Sequence, residues 1–234
     1  MQAVIEFRLA NEISSQDFDR LKAKFLKLKW RAEEQIEFQL QLKPGDTMPT
    51  PRRRVSGLRY TAPDADKVIA LDRRNYSTTV LPPYPGWDAL LEAFWTHHAS
   101  WRKVIGKPPL GRIGVRYVNR FDIPTNNGEP INFNDYLTFT TTEPALLDEP
   151  VRGILMQVHS GIKSDDLRVN LSMATVESPV IDHASVELDI DLYREGVDVP
   201  QSDADISAYL DVVRQRRTEI FEACITDEMR KVIS

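Results

Sequence analysis

The sequence predicts an α+β protein: one largely antiparallel sheet with long helices on one face, assembled from two halves of strand, helix, strands and long helix. Three observations predict it. Several segments alternate apolar and polar residues, the period of a strand with one buried face. Two long segments carry apolar residues at helical spacing. The order of these segments in residues 1–110 recurs in residues 111–234, although the residues themselves do not repeat. A duplicated unit of this kind forms one continuous domain related by a pseudo-twofold axis.

The elements follow in order. Residues 3–10 alternate, with Ile5, Phe7 and Leu9 on one face. Ser14 and Ser15 offer N-caps, and Asp17 suits a first helical turn. Phe18, Leu21, Phe25 and Leu28 then recur at helical spacing. Gln35–Leu42 alternates again, with Ile36, Phe38, Leu40 and Leu42 together. Lys43–Arg54 holds Pro44, Gly45, Pro49 and Pro51 beside three consecutive arginines, and reads as a mobile loop. Strands near 56–62, 67–73 and 75–81 end at Pro82 and Pro83. Gly86-Trp87 opens a helix whose stripe is Trp87, Leu90, Leu91, Phe94, His98, Trp101 and Ile105, closed by Gly106, Pro108 and Pro109.

Arg112–Pro124 begins the second half and is the clearest strand. Ile113, Val115, Tyr117, Phe121 and Ile123 form an oily face; Arg112, Arg116, Arg120 and Asp122 form the other. Such a strand belongs to a sheet covered on one side. Asn134–Leu137 suits a short helix or turn, and 140–152 a loop. Strands are expected at Gly153–Ser160, Leu167–Val176 and Ala184–Tyr193. Ser202 with Asp205 resembles a capping box ahead of the closing helix. Thr226-Asp227-Glu228 reads as a fresh N-cap, so that helix should break near Ile225.

Composition bounds the function. The chain has 234 residues, 41% hydrophobic and 28% charged, which suits a globular core. Residues 1–110 carry 18 Lys+Arg against 13 Asp+Glu, while the remainder carries 12 against 22, an asymmetry that suits two mutually attracting halves or uneven solvated surface. One cysteine cannot form an internal disulfide, there is no signal-like start, and no apolar run approaches the ~20 residues needed to cross a bilayer. The chain therefore reads as cytoplasmic, with no membrane association.

Catalytic and metal signatures are missing from the pattern. No glycine-rich phosphate loop or G-x-S-x-G elbow occurs. Cys224 sits on the apolar stripe of the last helix, so core packing is expected rather than a nucleophile. His97 and His98 are helix neighbours that cannot chelate one metal, and His98 shares the core stripe; His159 and His183 lack partners at metal spacing. Glu187, Asp189 and Asp191 share a strand face, but neighbours two apart are ~6.5 Å distant, so cross-sheet pairing with arginines is expected instead of an ion site. No cofactor and no catalytic residue are assigned. Arg52–Arg54, Arg73-Arg74 and the row Arg112, Arg116 and Arg120 invite a nucleic-acid reading, against which stand a sequence pI of about 5.5 and the acids Glu187, Asp189 and Asp191 expected on the same face. The remaining candidate is the polar sheet face, with Arg112, Arg116, Arg120, Arg168, Asn170, Glu187 and Asp189 as its binding residues and Gln157 and His159 beside them.

The run Arg112–Pro124, with its Gly-Val-Arg-Tyr-Val-Asn-Arg core and Ile123-Pro124 ending, resembles the central motif of a sporadically distributed, uncharacterised bacterial protein family of similar length. Gly86-Trp87 opening a helix that contains Trp101, and the ending Phe221–Arg230, are similar to that family as well. The resemblance implies no activity, cofactor or catalytic residue. It implies a place in the mobile part of bacterial genomes, including defence or toxin–antitoxin-like loci. The strand and helix order is also similar to saddles of the TATA-binding-protein kind, whose underside would be the polar sheet face. The function expected is a non-enzymatic binding or regulatory module that engages a protein partner or a second copy of itself through that face or the first-half loops. A small-molecule receptor or enzyme is the first alternative, with its pocket on the open face or between helices and sheet, and nucleic-acid binding the second.

Overall fold

The computed structural model describes residues 1–41, 50–125, 129, 131–138 and 152–233. It is an α+β protein with nine strands and four α-helices among the described residues. Two compact units divide it: one is Gln2–Ile113 with Glu195–Val199, the other Met1, Gly114–Arg194 and Pro200–Ser234.

The first unit holds β1 (Gln2–Leu9), α1 (Ser15–Phe25), β2 (Arg31–Gln41), β3 (Thr50–Thr61), β4 (Lys67–Asp72), β5 (Asn75–Val80) and α2 (Trp87–Ile105). Its strands lie in the order β2-β3-β4-β5-β1, with antiparallel registers throughout. Ala3, Ile5, Phe7 and Leu9 of β1 are all buried, the single face that the alternation predicts. Ser14 caps α1 by accepting the Asp17 N–H at 3.0 Å. Gly86 and Gly106 bound α2 at φ 114° and 74°, backbone that a β-carbon would strain.

The core of this unit is aromatic. Phe7 meets Phe94 edge-on at 5.3 Å, His98 stacks on Phe94 at 5.2 Å, and Trp101 lies 5.4 Å from Tyr76. His98 is buried there as expected, its Nε2 accepting from Arg102 Nε at 3.3 Å. His97, outside the expected stripe, is buried too, edge-on to Trp30 at 5.1 Å. A helix between two packing neighbours buries a wider arc than one stripe.

Lys43–Arg54 is not wholly a loop. Residues 42–49 lie outside the described residues, but Thr50–Arg54 belong to β3 and pair with Glu37–Gln41. Here pairing overrides a loop-like composition. β4 pairs with β3 only over Gly57–Thr61, so Pro51 leaves no β3–β4 hydrogen bond unmade.

The second unit takes most of β6 (Leu110–Pro124), then β7 (Leu155–Ile162), β8 (Leu167–Val176), β9 (His183–Glu195), α3 (Asp203–Cys224) and α4 (Asp227–Ile233). Its strand order is β6-β9-β8-β7. Among the described residues, the only helical segment between β6 and β7 is a 3-10 turn at Phe133–Asp135, whereas α1 follows β1. Most of 140–152 lies outside the described residues.

α3 covers one face of this unit. Tyr209 donates its hydroxyl to the Leu192 carbonyl at 3.0 Å, and Phe221 lies 6.2 Å from Phe121. Ser202 caps α3 through the Asp205 N–H at 3.1 Å; its hydroxyl donates to the Asp205 carboxylate at 2.6 Å, so the aspartate does not complete a reciprocal capping box. The helix breaks where expected. Ile225 is extended, at φ −114° and ψ 150°, and bridges to Leu137. Thr226 then caps α4, its hydroxyl oxygen accepting the Met229 N–H at 3.3 Å.

Candidate functional site

β6 builds the candidate site by its pleat. Val115, Tyr117, Phe121 and Ile123 are buried on the helix side, while Arg116 and Arg120 project from the other and are exposed. β9 lies next in the order, and its Glu187, Asp189 and Asp191 share a face, alternating with buried Val186, Leu188, Ile190 and Leu192.

The arginines meet acceptors of the same unit. Arg116 grips Asp189 with a fork: Nε lies 2.9 Å from both carboxylate oxygens and an Nη 2.5 Å from Oδ2. Arg120 donates to Asp122 at 3.0 Å, to the Glu177 carbonyl at 2.6 Å and to Ser185 Oγ at 3.2 Å. The Ser185 hydroxyl donates in turn to Asp122. Ser185, with Arg120, holds the Asp122 carboxyl below the usual carboxylate range. Ser185 is buried, and its hydroxyl ties Asp122 to the Arg120 guanidinium.

A second chain of contacts runs outward. Asn170 of β8 donates to Asp191 at 3.3 Å, and its carbonyl oxygen lies 2.7 Å from His159 Nδ1 on β7. Arg168 is exposed and stands opposite Tyr193 in register; Glu187 stands opposite Ala174. Arg116, Arg120, Arg168, Asn170, Glu187 and Asp189 share one unit. Arg112 belongs to the other, where it pairs with Glu6 at 3.1 Å. Asp189 thus engages an arginine and Asp191 an amide, and no group of His, Cys, Asp or Glu among the described residues could hold a metal ion. Cys224 is buried, and burial pushes its thiol up to about 11, far from nucleophilic.

Two features escape the polar-face reading. The first is β7, outermost among the described strands of its unit and exposed on both faces; Leu155 is 84% exposed and Val158 39%. The second is a cavity of about 270 Å³ on the helix side, between β6, β9 and α3, lined by Tyr117, Asn119, Ile190, Arg217, Phe221 and Glu222 among others. Asn119 is the polar interruption in the oily face of β6, and that interruption is the signal the sequence offers. Arg217 carries none, being one of several charges on a helix.

No protein-family model matches the chain, and no curated protein sequence is significantly similar to it. No helix among the described residues is long and apolar enough to cross a membrane.

Proposed function

We propose that the protein is a non-enzymatic binding module that associates with a second copy of itself by strand addition at the edge of β7. The observation that carries this is the chemistry of the edge. Outermost strands present unpaired backbone groups and are normally blunted by charge or proline. β2, outermost in its own unit, carries Arg31, Glu33, Glu34 and Glu37. β7, Leu-Met-Gln-Val-His-Ser-Gly-Ile, carries no lysine, arginine, aspartate, glutamate or proline. Two antiparallel copies of one such strand pair about a twofold axis, the commonest symmetry of soluble dimers. The polar face beside it contributes a fixed pattern of charge that sets register rather than attraction.

Sedimentation equilibrium of the wild type and of the Leu155→Lys, Val158→Lys double variant tests this. Both side chains are exposed, so the variant keeps the wild-type melting temperature. The wild type dimerises and the variant does not. A wild type that is monomeric across the accessible concentration range, or a variant that dimerises equally, overturns the proposal.

A further inference from the structure

The cavity under α3 holds a cation that the fold has not neutralised. Among the described residues Arg217 has no carboxylate partner: it donates to Thr218 Oγ1 at 3.2 Å and lies over the Tyr117 ring, 4.7 Å from its centroid. Its Nε is buried and makes no hydrogen bond. A buried donor left unmade destabilises the folded state, and more so when the group is charged. The acid in the cavity lining does not relieve it. Glu222 lines the same cavity, but its carboxylate accepts from Arg230 at 2.9 and 3.0 Å.

The rest of the lining is Met1, Thr218 and the apolar surface of Ile190, Phe221 and the Tyr117 ring, with the Asn119 amide. Asn119 donates weakly to the Leu188 carbonyl at 3.4 Å. A cavity of about 270 Å³ has room for roughly nine water-sized volumes. That is too small for a nucleotide and suited to a compact acid with an apolar body.

We propose that this cavity is a binding site for a small monocarboxylate, aromatic or short-chain aliphatic, whose carboxylate pairs with Arg217 and whose apolar body lies against Ile190, Phe221 and Tyr117. The site lies within one unit and on the helix side, so it is independent of association through β7. A guanidinium is planar and rigid, and one lying over an aromatic ring can donate along its edge to two carboxylate oxygens.

Titration of the ¹⁵N-labelled full chain with phenylacetate, hexanoate and the neutral analogue phenylacetamide tests this. At least one acid shifts the Arg217 Nε–H signal and the amides of Tyr117, Asn119 and Phe221, saturating by about 1 mM, the weak end of specific affinity. Phenylacetamide binds at least tenfold more weakly. Arg217→Gln lowers acid affinity at least tenfold with an otherwise unchanged spectrum. Silence of these signals with both acids, or equal binding of acid and amide, overturns the proposal. The acid–amide comparison is made on the wild type and stands even if the variant does not fold.

Discussion

A double-mutant cycle on Arg116 and Asp189 measures how far the arginine face of β6 is spent on internal pairing. The cycle compares the wild type, Arg116→Ala, Asp189→Ala and the double variant. The geometry is favourable: three N···O distances of 2.5 to 2.9 Å, with the Asp189 side chain 17% exposed and that of Arg116 56%. Unit charges about 4 Å apart attract by ~1 kcal/mol in water and ~4 kcal/mol at an effective dielectric of 20. Ordering the long arginine side chain opposes this by up to ~2 kcal/mol. The expected coupling is therefore about 1 kcal/mol, the upper end for pairs open to solvent. Urea unfolding at low salt measures it. At 1 M salt the screening length is about 3 Å, so the coupling falls by half or more. A coupling below about 0.2 kcal/mol, or one indifferent to salt, refutes the reasoning.

Two further outcomes follow from individual side chains. Burial, together with the charge of Lys67, holds His97 below its ordinary value, so the unfolded chain takes the proton first. Stability is then lost as pH falls below the unfolded value of about 6.5, by at most ~1.4 kcal/mol per pH unit from this group. His97→Gln flattens the stability profile between pH 7.5 and 5.5, and identical profiles by chemical unfolding contradict the assignment. At Gly161 in β7, a β-carbon would lie 2.8 Å from the Leu167 carbonyl oxygen of the paired strand. Gly161→Ala therefore costs ~1–3 kcal/mol, read in the unfolding midpoint, and a loss under ~0.5 kcal/mol shows that the β7–β8 backbone yields.

The strands were legible where one face is buried. β1, β6 and β9 alternate because the pleat buries every second residue, and that period is written in Ile5, Phe7 and Leu9 as plainly as in Val186, Leu188 and Ile190. The break at Ile225 was legible because Thr226 caps through its own side chain, a local interaction. The strand character of Thr50–Arg54 was not, since it comes from pairing with β2 and leaves no mark in its own composition. The acidic row of β9 and the arginines of β6 could be matched on the page, but their partners could not be ranked. Arg112 turned to Glu6 because β1 shares its unit. Of the cavity, only Asn119 left a mark, as the polar break in the oily face of β6. The cavity's polar contribution comes from Asn119 and Arg217, which meet only once a strand and a distant helix are packed.

The extended residue between α3 and α4 bears on the order of folding. Thr226 donates its hydroxyl to the Asp135 carbonyl across 91 residues of chain, and its N–H reaches the Tyr136 carbonyl at 3.0 Å. Contacts that close so long a loop bear their entropic cost before any return, and form fastest when intervening hairpins have already shortened the chain. β7–β8 and β8–β9 are such hairpins, antiparallel and adjacent in sequence. The clasp at Ile225 is thus expected to form late, with φ-values near zero at Thr226 and Met229 in α4.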